Sequence, residues 1–152
     1  MTVAEAMKKM ILFSNGNQHD INHFLKVHAY AATIGACEGL PEDTLQTLEL
    51  AAIVHDIACP LCREKYGNTN GNYQQLEGAP LTRDFFAGTD IPADQLERIV
   101  WLVADHQILI EADYRVNAEE SNLPESNIRH MNDAIFKTRT GKELLESVYL
   151  SH

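Results

Sequence analysis

Positive charge is the first thing this sequence is short of. Twelve Lys and Arg stand against 22 Asp and Glu, a formal net charge of −10 at pH 7. That balance argues against a nonspecific binder of duplex DNA or an anionic membrane, both of which are gripped through clustered Lys and Arg. A small phosphorylated ligand is not excluded, because a bound cation can supply local positive charge. Cysteine is scarce as well. Cys37, Cys59 and Cys62 are an odd set without framework spacing, which points to a reducing cytoplasmic setting. No run approaches the roughly 18 apolar residues of a membrane span. The opening stretch MTVAEAMKKMILF carries Glu5 and lacks a long apolar core with a cleavage site, so no secretory leader is expected. Strand-like alternation, internal repeats, linkers and low-complexity segments are also missing.

What is present is helical periodicity. The 152 residues, 45% of them hydrophobic, suit a single domain with its own core. A first helix is expected over 2–13, with Thr2 as N-cap, and Ser14-Asn15-Gly16-Asn17 breaks it. A second runs from about Asp20 to Cys37, with Ile21, Phe24, Leu25, His28, Ala31 and Ala32 at helical spacing, and Gly39 ends it. After Pro41 a third covers about Glu42 to Ile57. Residues 58–73 are rich in Gly, Asn and Pro and read as a loop. Further helices are expected at Pro80 to Ala87, from Pro92 to about His106 with a continuation or kink into 108–119, and at 125–137 and 141–149. Trp101, Phe85 and Phe86 are core candidates. The fold class is therefore all-α.

The chemistry concentrates in Ala51-Ala52-Ile53-Val54-His55-Asp56-Ile57-Ala58. An imidazole and a carboxylate at the end of an apolar segment are costly to bury unless a cation takes their lone pairs. Divalent transition metals favour this pairing of imidazole nitrogen and carboxylate oxygen. The candidate ligands are His23, His55, Asp56 and Asp113, drawn from three helices. His23 lies on the row His23, Val27, Tyr30, Ile34, and Asp113 stands in an otherwise apolar helix. Other histidines have plainer readings: His28 as a core residue, His19 at the surface. For His106, ligand and helix-end residue stand equal. Cys59-Pro60-Leu61-Cys62 has C-x-x-C spacing, but no second ligand pair for zinc and no α/β context for a redox motif.

Taken together, His23-x-x-x-Val27, the segment Ala51 to Ile57 and Glu111-Ala112-Asp113-Tyr114-x-Val116-Asn117 resemble the HD-domain superfamily of metal-dependent phosphohydrolases. The resemblance is closer to a bacterial branch of predicted HD hydrolases. It extends to Lys65-Tyr66-Gly67, Gly71-Asn72-Tyr73-Gln74, Leu76-Glu77-Gly78 and the tail Phe136-Lys137-Thr138-x-Thr140-Gly141, covering about residues 17–149. It implies a bundle of about six to eight helices and a divalent ion (Fe, Mn, Zn, Ni, Co or Mg) held by His23, His55, Asp56 and Asp113. It also implies hydrolysis of a small phosphorylated metabolite such as a nucleotide. Asp56 would orient the attacking water, Lys65 would meet phosphate charge, and Glu77 would accept a proton or grip a sugar hydroxyl. The resemblance departs at two places. The histidine-rich segment of relatives is reduced to His106, and Cys59 and Cys62 follow the His-Asp pair. The first departure keeps an alternative open, a metal- or nucleotide-binding module without catalysis. A homodimer is the default expectation for oligomeric state.

Overall fold

The computed structural model describes residues 1–104 and 106–150; Asp105, near the end of the helix expected from Pro92 to about His106, lies outside the described residues. Among the described residues there are nine α-helices and no strand. They are α1 (Val3–Phe13), α2 (Gln18–Cys37), α3 (Glu42–Val54), α4 (Cys59–Tyr66), α5 (Gly71–Phe86), α6 (Ala93–Ala104), α7 (Gln107–Glu120), α8 (Glu125–Ala134) and α9 (Arg139–Tyr149).

The helix starts follow from local chemistry. Thr2 and Glu5 close a capping box on α1: Glu5 N–H donates to the Thr2 hydroxyl at 3.2 Å, and Thr2 N–H donates to Glu5 Oε2 at 2.7 Å. Asn17 accepts from Asp20 N–H at the head of α2. Pro41 precedes α3 with extended backbone, as expected from its fixed φ.

Helix α3 is the hub. It packs against α1, α2 and α6, and every residue from Leu50 to Val54 is buried. The stretch Glu42–Tyr66, which spans α3, the turn after it and α4, holds an 18-residue window apolar enough to cross a membrane, but 61% of that window is buried inside the fold. Its apolarity is that of a core helix surrounded by others. α2 lies between α3 and α7 and buries His23, Phe24, Val27, Ala31, Ile34 and Gly35. A Cβ on Gly35 would fall 2.8 Å from Leu45 Cδ1 and 3.1 Å from Leu48 Cδ2, so glycine permits the close approach of α2 to α3.

Four expectations are corrected. Residues 58–73 are not one loop: α4 forms there, with Pro60 in its first turn and Gly67 in the left-handed conformation at its end. The next helix begins at Gly71, so Pro80 lies inside α5. It is tolerated on an exposed position, where the Leu76 carbonyl that it leaves unbonded belongs to a residue 63% exposed. The buried face of α2 is rotated from the expected one: Leu25 is exposed, and His28 leaves the core to bond Glu49 at 3.1 Å. Trp101 is 63% exposed on α6 and is no core residue.

A second, smaller core of Ala118, Ile128, Met131, Phe136 and Leu145 unites α7, α8 and α9. One carboxylate joins it to α7. Glu111 is fully buried and accepts from Lys137 N–H at 2.6 Å, Thr138 N–H at 2.9 Å, Gln107 Nε2 at 2.7 Å and the Thr138 hydroxyl. Thr138 in turn caps α9 by accepting from Gly141 N–H. A Cβ on Gly141 would collide with Glu111 Oε2. Gly141→Ala is therefore expected to destabilise the protein by about 2–4 kcal/mol, because it drives apart a buried carboxylate and its donors. Urea unfolding of the variant beside the wild type measures this; an unchanged midpoint would mean that the clamp is dispensable.

Candidate metal centre

The buried α3 ends at Val54, and the next four residues form a turn closed by Ile57 N–H to Val54 C=O and Cys59 N–H to Asp56 C=O. The apolar run thus delivers His55 and Asp56 to the point where the helix stops. There two side chains on one continuous helix, which would diverge by about 100°, can face a common point. α2 brings His23 from one side and α7 brings Asp113 from the other.

His23 Nε2, His55 Nε2 and Asp56 Oδ2 form a nearly equilateral triangle with sides of 3.3, 3.4 and 3.5 Å. Asp113 Oδ1 lies 3.1 Å from His23 Nε2 and 3.8 Å from His55 Nε2. Metal–ligand bonds of about 2.0–2.2 Å set neighbouring donors roughly 3.0–3.6 Å apart at octahedral to tetrahedral angles. The triangle has that size, and its donors are of the types a divalent ion takes, so His23, His55 and Asp56 could hold one.

Three of the four side chains have a further partner, and the two imidazoles are held from behind. His55 Nδ1 lies 2.8 Å from the Ala52 carbonyl and His23 Nδ1 lies 2.9 Å from Glu120 Oε2, leaving both Nε2 atoms inward. Asn117 Nδ2 donates to Asp113 Oδ1 at 2.9 Å. Sequence reasoning gave Glu120 and Asn117 no role. The signal was available, since Asp113, Asn117 and Glu120 are spaced i, i+4, i+7 along one face of α7.

The electrostatics follow from crowding two imidazoles against carboxylates. Burial pulls the His55 pKa down, but Asp56 and Asp113 outweigh it and lift it to about 9. Burial opposes protonation of His23 too, yet its bonds to Asp113 and Glu120 raise it. Burial favours the neutral acid of Asp113, but bonds from His23 and His55 hold it well below the usual carboxylate range.

Two small clefts open beside the cluster. One, of about 220 Å³, lies between α5 and α6 and is lined by His55, Gln74, Gly78 and Val103 among others. The other, of about 170 Å³, is bordered by His55, Asp56, Gln74, His106 and Asp113. His106 sits at the head of α7, not at the tail of α6. His19 is exposed, as read from the sequence. Lys65 and Glu77 line neither cleft. Lys65 Nζ and the Tyr66 hydroxyl both donate to Glu77 Oε1 at 2.6 Å, and Tyr66 stacks on Tyr73 at 3.9 Å. Meeting a phosphate would require that pair to open.

Cys59 and Cys62 are buried free thiols. Burial, with Asp56 beside Cys59 and Glu77 beside Cys62, pushes both above the ordinary range and keeps them protonated. Native protein is expected to expose one thiol, Cys37, to an aromatic disulfide reagent at neutral pH, and all three after denaturation.

The raised His55 fixes a pH dependence for the metal-free protein. Its contribution to stability is fully present below its unfolded value near 6.5 and is lost as pH rises through about 9. Urea unfolding in chelator should show stability falling between pH 6.5 and 9, by on the order of 1–3 kcal/mol. A divalent ion needs the imidazole neutral, so its affinity should climb over the same window. A flat or rising metal-free profile would contradict the geometry.

One comparison with known proteins identifies a family. A family model described as HD domain matches residues 20–138, which is most of the chain and spans all four clustered side chains. No curated protein and no solved structure gives a significant match. From the match and the all-helical fold, the chain belongs to the HD-domain family, whose superfamily is that of metal-dependent phosphohydrolases.

Proposed function

We propose that this protein is a metal-dependent phosphohydrolase acting on a small phosphorylated metabolite, with nucleotides as the first class to test. The observation that carries the reading is the triangle of His23 Nε2, His55 Nε2 and Asp56 Oδ2, with Asp113 Oδ1 beside it. His23, His55, Asp56 and Asp113 would hold the ion. When bound, a divalent cation supplies Lewis acidity, polarising a phosphoryl oxygen and making water acidic enough to react near neutral pH.

The rest falls to the chain's own residues. Asp56 is half-buried, with its side chain 35% exposed, and it borders the second cleft. It orients the attacking water and takes its proton as the water oxygen bonds to phosphorus and the leaving-group oxygen departs. His55 borders both clefts and is fixed through Ala52, so it cannot swing away. Gln74 borders both clefts as well and offers an amide to the phosphate or to the group that it carries. The dimensions of the clefts favour a small ligand. Without a cation, Asp56, Asp113 and Glu120 would repel a phosphate; with one, the same carboxylates are offset and the site accepts an anion.

A panel of nucleotides, phosphomonoesters and phosphodiesters, assayed with Mn²⁺, Fe²⁺, Co²⁺, Ni²⁺ or Mg²⁺, tests this. Metal-dependent turnover is expected, lowered by about 100-fold or more in Asp56→Ala. Metal uptake without turnover across the panel would mark a binding module instead. Elemental analysis of protein purified without an affinity tag checks the ion itself, and a metal-free protein under replete conditions would overturn the reading.

A further inference from the structure

The two imidazoles of the cluster are anchored by different means. His55 donates from Nδ1 to the carbonyl of Ala52, three residues earlier in the last turn of α3. That anchor comes with α3 and needs nothing else. The anchor of His23 is Glu120, 97 residues away in sequence on the last turn of α7. A carboxylate is unfavourable there, because a helix C-terminus carries partial negative charge. Glu120 is nevertheless largely buried, with a side chain 17% exposed, so something must outweigh the cost.

What surrounds it does so. Lys26, one turn beyond His23 on α2, places Nζ 2.9 Å from Glu119 Oε1 and 3.6 Å from Glu120 Oε1. His19 Nε2 approaches Glu120 Oε2 at 3.9 Å. Glu119 is also 3.6 Å from the buried Arg115, whose guanidinium lies over the Tyr30 ring at 4.7 Å and the Tyr149 ring at 4.9 Å. The end of α7 is thus tied to α2 and to α9 by charged and aromatic contacts, with Glu120 on the side facing His23.

We propose that Glu120 is a positioning residue for the metal centre: it holds the proton of His23 on Nδ1, so that Nε2 presents its lone pair to the ion beside His55, Asp56 and Asp113. This rests on reading His23 as a ligand. A carboxylate behind a ligating imidazole fixes its tautomer and orientation and makes it a stronger donor. Because the anchor comes from α7, His23 is correctly aimed only when the end of α7 is docked on α2. Affinity for the ion is thereby tied to packing of the helix that also supplies Asp113.

Co²⁺ titration followed by visible absorption, with a competing chelator, provides the test. Glu120→Ala is expected to weaken Co²⁺ binding by about 10–100-fold. Glu120→Gln, which can still accept from Nδ1–H but has no charge, should lose several-fold less, and it decides the matter should the alanine variant fail to fold. In the Zn²⁺-loaded wild type, nitrogen NMR should find the His23 proton on Nδ1 and in slow exchange, and the alanine variant should lose that protection. A merely structural Glu120 would lower the melting temperature and leave affinity and proton exchange unmoved. Variants that bind Co²⁺ as tightly as the wild type overturn the positioning role and leave the ligand reading intact. A wild type that takes up no Co²⁺ overturns both.

Discussion

Two imidazoles and two carboxylates pressed together inside a helical bundle are the constraint on which the rest of the structure depends. With each imidazole Nε2 3.1–3.8 Å from the other imidazole and from both carboxylates, they cannot all keep their water shells. Either protons or a cation must settle the balance of charge. Without a metal, shared protons do so, which is why His55 is lifted to about 9 while Asp113 is held low. A divalent ion would do so with directed bonds once the imidazoles are neutral. The helices around the cluster serve to keep these groups converged against their tendency to separate into water.

Convergence is achieved by giving each donor a different kind of support. The apolar α3 brings His55 and Asp56 to the end of a buried helix, where a turn frees them from helical divergence. α2 is pressed against α3 through the space left by Gly35, and this carries His23 inward. α7 lies on the other side of α2 and presents Asp113, Asn117 and Glu120 along one face. The C-terminal pair α8 and α9 supplies none of these four donors, yet Glu111 on α7 gathers the backbone N–H groups of Lys137 and Thr138 that lead into α9. Two carboxylates thus do different work from one turn of α7: the buried Glu111 holds the fold, and the half-buried Asp113 faces the cluster.

This explains why segments that resemble one family lie far apart in the sequence and still belong together. Glu111-Ala112-Asp113 and Phe136-Lys137-Thr138-x-Thr140-Gly141 are joined by direct hydrogen bonds, with Gly141 leaving room for the carboxylate. The segment Lys65-Tyr66-Gly67 and the residues near Glu77 are likewise joined to each other, through Tyr66, Lys65 and Glu77. The second of these unions braces α4 against α5 beside the clefts and does not enter them.

By itself the sequence determined the helical class, the capped start of α1, the breaks at Asn15-Gly16 and Asn122-Pro124, and which side chains were worth considering as donors. Those depend on local terms: helical periodicity, capping chemistry, turn residues, and the cost of burying polar groups in an apolar run. Tertiary structure decided what local terms cannot reach. It made α4 and the first half of α5 from a Gly- and Asn-rich stretch, because burial of Cys59 and Cys62, the Tyr66–Tyr73 stack and the bonds to Glu77 outweigh weak helix propensity. It turned Trp101 outward and His28 toward Glu49. It also set Glu120 behind His23, a pairing across 97 positions that the shared α7 face of Asp113 and Glu120 allows but that only the docking of α7 on α2 fixes.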